Sequence, residues 1–317
     1  MINILIIQEN GHHDGNRIYR ECYSFQRAFQ EMENVSADVW GNRHANFSKK
    51  PDFNSYDLIL QLEQYDGCYG QSWVPHEEIK KSKGVKVLWS VDSHVRGAHY
   101  YEDLREKGAY DLVLNTIKHH TGPKGIWFPN AYDDTLIKPL RVDKTTDVGF
   151  CGCPATEKRQ AFLKYLAMNL GSSFHHDAWI LGDEMVRTIN SYRIHFNFNI
   201  ADDINYRSFE TLGCGIPLLT NYNYQYEELG FIHGENCLMY KSAEEAVELC
   251  KKYLADPAAL EKIGAAGLVL AHQHSYRARA RHLLEQVALR LSPAGRQSLT
   301  KSAGSLIIND LHIPAKP

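Results

Sequence analysis

Three side chains in the second half of the chain have types and spacing that suit a phosphorylated ligand. Arg207, Glu210 and Thr211 are spaced i, i+3 and i+4, which places them on one face of a helix. The guanidinium of Arg207 offers forked donors to phosphate oxygens, and the carboxylate of Glu210 suits a vicinal diol such as ribose. Asn205 can cap this helix with its side chain, and the helix N-terminus then favours a diphosphate. An ion pair between Arg207 and Glu210 within the helix is the structural alternative.

The elements that position these residues follow from the hydrophobic pattern. Short runs rich in Ile, Val and Leu alternate with amphipathic helical stretches along the chain. The pattern predicts strands at 2–7, 37–40, 57–62, 85–91, 110–115, 126–129, 147–151, 195–200, 217–220 and 236–240. It predicts helices at 18–32, 75–82, 100–107, 157–170, 183–192, 205–212, 225–229, 243–254, 257–272 and 276–291. Strands that are apolar on both faces and alternate with helices indicate parallel sheets covered on both sides.

The strand and helix pattern divides into two similar halves. Residues 1–130 and 147–291 each predict a doubly wound α/β domain, and the segment 131–146 between them reads as a linker. The last helix of the second half could pack back on the first domain, and residues 292–317 form a polar tail. In such folds ligands bind at the carboxyl ends of the strands, so we expect the site in a cleft between the domains.

The composition limits the class of protein. The chain has 317 residues, of which 44% are hydrophobic and 23% charged, with a net charge of -3, so a disordered or coiled-coil chain and a nucleic-acid binder are not expected. No apolar run approaches the roughly 20 residues that span a bilayer. Seven scattered cysteines do not suggest a disulfide framework. We therefore expect a cytoplasmic protein with reduced thiols.

The segment 205–220 (NYRSFETLGCGIPLLT) resembles the donor-binding core of two-domain GT-B glycosyltransferases, and most closely the branch of the spore-maturation protein CgeB. The segments 129–139 (PNAYDDTLIKP), 148–152 (VGFCG) and 276–281 (YRARAR) resemble other parts of these enzymes, in the expected order. The resemblance is dense over residues 126–285 and lies at the level of the fold in the first half. It implies two Rossmann-like domains facing across a cleft, with the acceptor on the N-terminal domain and the nucleotide sugar on the C-terminal domain.

The resemblance also implies further donor-binding residues. Gly152 falls in the phosphate loop, and Lys158 with Arg159 matches basic positions that reach the diphosphate. The related retaining enzymes of family 4 have an E-x7-E pair, and here the earlier acid is replaced by Asp202, which keeps a carboxylate on a shorter arm. For Lys158 and Arg159 the alternative is that they are solvated residues in the first turn of a helix. For Asp202 the alternative is a solvated turn.

Candidate catalytic and acceptor residues lie in the first half of the chain. His94 follows the strand predicted at 85–91 and matches a histidine that reaches the donor sugar in many GT-B enzymes, and Asp92 could orient it. The alternative is a loop pair that caps the next helix. His12, His13 and Asp14 stand in the loop after the first strand, where acceptor contacts are expected, with a solvated loop as the alternative.

The resemblance implies a hexosyltransferase-type enzyme that moves a sugar from a nucleotide-diphosphate sugar to a hydroxyl of a glycan, lipid-linked or protein acceptor, with retention as in family 4. The sequence has no D-x-D motif, its histidine pairs lack metal-ligand spacing, and no G-x-G-x-x-G follows the first strand, so we expect neither a metal nor another cofactor. A nucleotide-sugar 2-epimerase and a non-catalytic nucleotide-sugar-binding protein remain alternatives. No nucleic-acid partner or transmembrane segment is expected, and peripheral membrane contact stays open.

Overall fold

The computed structural model describes residues 1–62, 73–91, 93–96, 110–121, 125–154, 156–288, 290–293, 295 and 297. Its strands in these residues are β1 (Ile2–Ile7), β2 (Val35–Trp40), β3 (Leu58–Leu62), β4 (Val85–Ser90), β5 (Leu112–Asn115), β6 (Gly125–Trp127), β7 (Thr146–Cys151), β8 (Phe174–Asp177), β9 (Tyr192–Phe196), β10 (Leu218–Asn221) and β11 (Leu238–Tyr240). Its α-helices there are α1 (Glu21–Gln30), α2 (His76–Lys81), α3 (Ser93–Arg96), α4 (Glu157–Leu170), α5 (Gly182–Ser191), α6 (Tyr206–Gly213), α7 (Tyr224–Glu228), α8 (Ala243–Leu254), α9 (Pro257–Ala271) and α10 (Tyr276–Ala288).

The N-terminal sheet is parallel throughout, with strand order β2-β1-β3-β4-β5-β6. Every residue of β3 and β4 is buried, as expected for central strands that are covered on both faces. On one face Phe25 of α1 packs edge-on against Trp89 of β4 and Tyr276 of α10, with ring centroids 5.5 and 5.0 Å apart. A smaller cluster around Trp40 covers the other face.

The C-terminal sheet is also parallel, with strand order β11-β10-β9-β7-β8. Apolar residues of α4 and α8 cover one face, and those of α5 and α6 cover the other. Strand β7 lies next to β9, and the order of connection reverses between them. This reversal is the position at which open α/β sheets bind ligands, beyond the carboxyl ends of the strands.

Helix α10 follows the C-terminal domain in sequence but packs in the N-terminal core. The amide of Tyr276 donates to the carbonyl of Tyr132 at 3.0 Å, where the chain returns beside the outgoing linker. Arg279 of α10 is buried and donates from Nε to the carbonyl of Pro129 at 2.9 Å. The domains are therefore joined by two neighbouring crossings of the backbone.

The expectation of two doubly wound α/β domains is confirmed. Strand β9 lies at Tyr192–Phe196 and not at 195–200, because it pairs along β7 from Tyr192 onward. Strand β8 was not predicted, because only Phe174 of this edge strand is fully buried. The helix predicted at 100–107 lies outside the described residues. Among the described helices, none has the length and apolarity of a bilayer span.

Candidate active site

A cavity of about 420 Å³ lies between the domains at the carboxyl ends of both sheets. Val91, His94 and Asn130 line it from the N-terminal side. Its C-terminal wall includes Gly152, Arg159, Trp179, Met185, Asp203, Asn205, Arg207 and Glu210. A second cavity of about 200 Å³ has Tyr206 and Glu210 in common with the first and extends toward the linker. The site is therefore where the strand topology predicts it.

Arg207 is fixed in this wall by three contacts. Its Nε donates to the carbonyl of Cys151 at 2.8 Å, its Nη1 donates to Oδ1 of Asn197 at 2.8 Å, and its guanidinium lies 4.8 Å from the ring centroid of Phe150. Within the described residues these hydrogen bonds leave Nη2 without an acceptor, beside Gly152. Burial lowers the pKa of the guanidinium, and the carboxylate of Glu210 opposes this. A ligand with anionic oxygens at Nη2 would complete the site.

A buried hydrogen-bond network holds the acceptor of Arg207 in place. This asparagine network consists of Asn197, Asn199, Ser208, Thr220 and Tyr226. The amide nitrogen of Asn197 donates toward Ser208 and Thr220, and that of Asn199 donates to the hydroxyl of Tyr226 at 2.8 Å. Because each member is buried and bonded, the network fixes the rotamer of Asn197.

Glu210 lies one helical turn from Arg207, in the wall of both cavities. Burial raises the pKa of its carboxyl to about 7, Glu21 acts in the same direction, and Arg207 lowers it. The carboxylate has no hydrogen-bond partner among the described residues, whereas Glu21 accepts from the hydroxyl of Tyr206 at 3.0 Å across the cleft. Glu210 therefore offers two acceptor oxygens to a ligand.

Glu210 and Thr211, which were predicted to share one face of α6 with Arg207, have different environments. Thr211 is fully buried, and its hydroxyl donates to the carbonyl of Arg207 and contacts Nδ1 of His195 at 2.7 Å. Since positions i+3 and i+4 lie on opposite sides of position i at about 100° per residue, Glu210 faces the cavity and Thr211 faces the core.

The predicted capping role of Asn205 is wrong. Asn205 is at the N-cap position, but its side chain makes no capping bond. Its Nδ2 donates instead to Oδ1 of Asn197 at 3.0 Å, and its Oδ1 is buried in the cavity wall without a partner in the described part of the chain. The start of α6 is consequently left uncapped by a side chain, as an anion-binding helix N-terminus requires.

The basic residues of α4 differ in position. Arg159 lines the cavity, but Nη1 donates to the carbonyl of Cys153 at 2.6 Å and Nη2 to that of Phe198 at 2.8 Å. Burial, with the charge of Arg207, lowers the pKa of Arg159 to about 10. Lys158 is exposed outside the cavity wall, with Nζ over the ring of Phe198 at 5.8 Å from its centroid. Arg159 therefore holds the loop after β7 in place and contributes its positive charge to the cavity wall.

Of the two neighbouring aspartates, Asp203 lines the cavity and Asp202 does not. Asp202 is exposed, and its carbonyl accepts from Nδ2 of Asn223 at 3.1 Å. Asp203 is buried and raises the pKa of nearby Arg159 through its charge. The spacing of the family motif therefore identifies an exposed turn residue, one position before the residue that lines the cavity.

His94 lines the cavity from the N-terminal domain, in the short helix α3. Its Nδ1 is buried and has no hydrogen-bond partner within the described residues. The neighbouring Ser93 is buried and donates to Oδ1 of Asn115 at 3.0 Å, which fixes the start of α3. Asp92, which was predicted to orient His94, lies outside the described residues.

The predicted acceptor residues lie in an exposed loop. His12, His13 and Asp14 are exposed and do not line either cavity. The side chain of His12 contacts Arg43, and Asp14 pairs with Arg17 at 2.8 Å. The structure therefore places this group on the surface of the N-terminal domain.

Sequence reasoning missed an apolar wall of the cavity, formed by Trp179, Ile180, Leu181 and Met185. The side chain of Trp179 is 66% exposed and its φ is 64°, a left-handed conformation that few non-glycine residues adopt. This wall follows the unpredicted strand β8. The only signal for this wall in the sequence was Trp179, three residues before Gly182, which begins α5.

The fold belongs to the GT-B class of glycosyltransferases, in two Rossmann-like domains. The glycosyl transferase-like family model matches residues 153–285, which include α6 and most of the C-terminal wall. No curated protein sequence matches the chain.

The similar solved structures cover nearly the whole chain. Sucrose-phosphate synthase of Thermosynechococcus elongatus is 12% identical, with a TM-score of 0.60 over 95% of this chain and 100% of that one. HepE of Anabaena in complex with UDP-glucose is 11% identical, with a TM-score of 0.60 over 91% and 100%. A glycosyltransferase of Rickettsia africae is 10% identical, with a TM-score of 0.63 over 95% and 99%. At these identities the likeness shows the fold.

The first prediction concerns the carboxyl of Glu210. Its raised pKa of about 7 means that the carboxylate, the form that accepts two hydroxyl donors, predominates only above neutral pH. If a ligand diol donates to Glu210, affinity for a nucleotide-sugar probe such as UDP-glucose should therefore rise about tenfold from about pH 6 to about pH 8, and binding should release a proton. Calorimetric titration measures both. Glu210→Gln should bind more weakly and without this pH dependence, whereas the exposed control Glu244→Gln should behave as the parent. If the affinity of Glu210→Gln rose with pH as steeply as that of the parent, the assignment of Glu210 as the titrating group would be contradicted.

The second prediction concerns the approach of Gly152 to Arg207. A Cβ at Gly152 would overlap Nη2 of Arg207, and the other guanidinium nitrogens are already held in place. Gly152→Ala should therefore displace the guanidinium, and if a ligand phosphate binds at Nη2 the variant should bind UDP, used as a phosphate probe, about tenfold or more weakly, as for a lost charged hydrogen bond. The matched control is Gly15→Ala, since nothing lies within 4 Å of a Cβ at Gly15. Equal affinities of the two variants, measured by calorimetry, would rule out a phosphate at Nη2.

Proposed function

We propose that the protein is a glycosyltransferase that takes its sugar from a nucleotide diphosphate, with UDP-sugars as the donor class. The observation that carries this proposal is the pair on α6: Nη2 of Arg207 and the unpaired carboxylate of Glu210 face one cavity, and His94 of the other domain faces it too. Support for the donor class comes from HepE, whose structures contain UDP and UDP-glucose. The comparisons do not favour the epimerase or the non-catalytic alternative.

Each part of the donor has a matching wall in this proposal. The base lies against the apolar side chains around Trp179, and the ribose diol donates to Glu210. The diphosphate accepts from Arg207 and from the uncapped start of α6. The sugar then extends toward His94.

The reaction breaks the bond between the sugar and the diphosphate and forms a bond from the sugar to the acceptor oxygen. The acceptor proton goes to the released diphosphate. Negative charge develops on that diphosphate, where Arg207, the charge of Arg159 and the dipole of α6 stabilise it. His94 positions a sugar hydroxyl, and the closed cleft excludes water that would hydrolyse the donor.

Several finer points belong to the same proposal. We place the chain in the branch of the spore-maturation protein CgeB and expect a hexose donor, retention of configuration and a glycan, lipid-linked or protein acceptor. Arg207 and α6 supply the positive charge that a metal ion would otherwise provide, so we propose catalysis without a metal. The cysteines of the described residues are free, which supports a reducing compartment such as the cytoplasm.

The third prediction tests the donor class and the metal together. In EDTA, UDP-glucose should raise the unfolding temperature, since a ligand at 100 times its dissociation constant adds about 2.7 kcal/mol. ADP-glucose and GDP-mannose serve as base controls. Release of UDP from UDP-glucose should continue in EDTA when acceptors are supplied. Loss of release that manganese restores would refute metal independence, and the absence of stabilisation by all three nucleotide sugars would refute the proposed function.

The fourth prediction concerns His94. His94→Ala should lower turnover by about 10²-fold, the loss that a small misplacement of a substrate can cause, because the sugar loses its partner from the N-terminal domain. Affinity for UDP should stay close to that of the parent, since the nucleotide contacts lie on the C-terminal domain. The exposed His119 provides the control His119→Ala. Normal turnover in His94→Ala would place the catalytic group elsewhere in the cavity wall.

A further inference from the structure

Asn130 lines the cavity and has a buried hydrogen-bond acceptor that is unpaired within the described residues. Its side chain is 2% exposed, its Nδ2 donates to the carbonyl of Ile204 at 2.9 Å, and its Oδ1 has no partner among the described residues. Buried polar atoms in proteins nearly always have partners, and leaving one unpaired costs about 1–3 kcal/mol. The cavity that Asn130 lines is therefore the place to seek the missing donor.

The orientation of this amide is determined by its partner. A backbone carbonyl can only accept, so the nitrogen of Asn130 has to face Ile204, and the oxygen is the atom of the amide that is left without a partner among the described residues. A flipped amide would put two oxygens against each other. The polarity that Asn130 shows to a ligand is consequently fixed.

The backbone of Asn130 is fixed as well. Arg279 of α10 is buried and donates from Nε to the carbonyl of Pro129 at 2.9 Å and from Nη2 to that of Asn130 at 3.3 Å. Both ends of the residue are thus held by other elements. A ligand group that bonds to Oδ1 loses little free energy in ordering the protein.

Asn205 presents the same kind of atom to the same cavity. Because Arg207 has only donors, Oδ1 of Asn197 must accept from it, and Nδ2 of Asn205 donates to that same oxygen. Asn205 lines the cavity, and its oxygen is therefore left buried and unpaired within the described residues. Two fixed acceptors require a ligand with hydrogen-bond donors, which a fully ionised diphosphate lacks.

We propose that Asn130 is a specificity-determining residue whose Oδ1 accepts a hydrogen bond from a hydroxyl of the donor sugar, with Oδ1 of Asn205 accepting from a second one. This inference rests on the proposed function, in which Arg207 binds the diphosphate and Glu210 the ribose. The polar wall that remains, with His94, is where the sugar lies. Such a site discriminates against sugars that lack the hydroxyl, because its oxygen is then left unpaired.

The experiment compares sugar hydroxyls one at a time by calorimetric titration. The probes are UDP, UDP-glucose and UDP-glucose analogues that each lack one sugar hydroxyl. In the parent protein, one or two of these deletions should weaken binding by about threefold to tenfold, as for a neutral hydrogen bond. In Asn130→Ala, UDP should bind as before, UDP-glucose should bind more weakly, and one of those deletions should have no further effect.

Asn190→Ala is the matched control. Asn190 is also 2% exposed and next to the linker, but its Oδ1 accepts from the amide of Leu140 and its Nδ2 donates to the carbonyl of Lys138. This variant should lose stability without changing the effect of any hydroxyl deletion.

The outcomes separate this inference from the proposed function. Deletions without effect in the parent would overturn the inference whether or not Asn130→Ala folds, and so would unchanged effects of all deletions in that variant, which would indicate water on Oδ1. In both cases the proposed function stands if UDP-glucose binds. A parent that binds none of the probes overturns the UDP-sugar donor class and this inference together.

Discussion

The hydrogen bond from Arg207 to Asn197 determines the polarity of the cavity wall. A guanidinium has donors only, so the oxygen of Asn197 must accept and its nitrogen must turn toward Ser208. Asn205 then has to meet that oxygen as a donor, which leaves its own oxygen for the ligand. Arg207 therefore orients the amide of Asn197, to which it donates, and through it the amide of Asn205, to which it makes no hydrogen bond.

This arrangement carries a cost in the stability of the protein. Arg207 is desolvated against the ring of Phe150, a carboxyl with a raised pKa lies one turn away at Glu210, and two amide oxygens are unpaired among the described residues. A nucleotide sugar would offset each cost, since its phosphates accept from the cation and its hydroxyls donate to the oxygens. Such local cost is expected where stability has been exchanged for binding.

The sequence predicts the part of the site that depends on local periodicity. Both sheets and helix α6 follow from the apolar pattern, and one helical turn brings Arg207 and Glu210 to one wall. The rest depends on tertiary partners. Asn205 has the side chain of a good cap, but in the fold this side chain donates to Asn197 instead. The edge strand β8 buries too few side chains to be predicted from the hydrophobic pattern. Because strand β8 was not predicted, the apolar wall around Trp179 that follows it was not predicted either.

The return of the chain to the first domain explains how two domains can form one precise wall. Helix α10 packs beside Phe25 and Trp89, and from there Arg279 holds the carbonyls of Pro129 and Asn130. The nitrogen of Asn130 in turn donates to the carbonyl of Ile204, which directly precedes Asn205, the N-cap residue of α6. Asn130, the last residue before the linker, is thereby fixed to both domains at once. The cavity walls from the two domains share one frame because the last helix holds the chain in place where it passes between them.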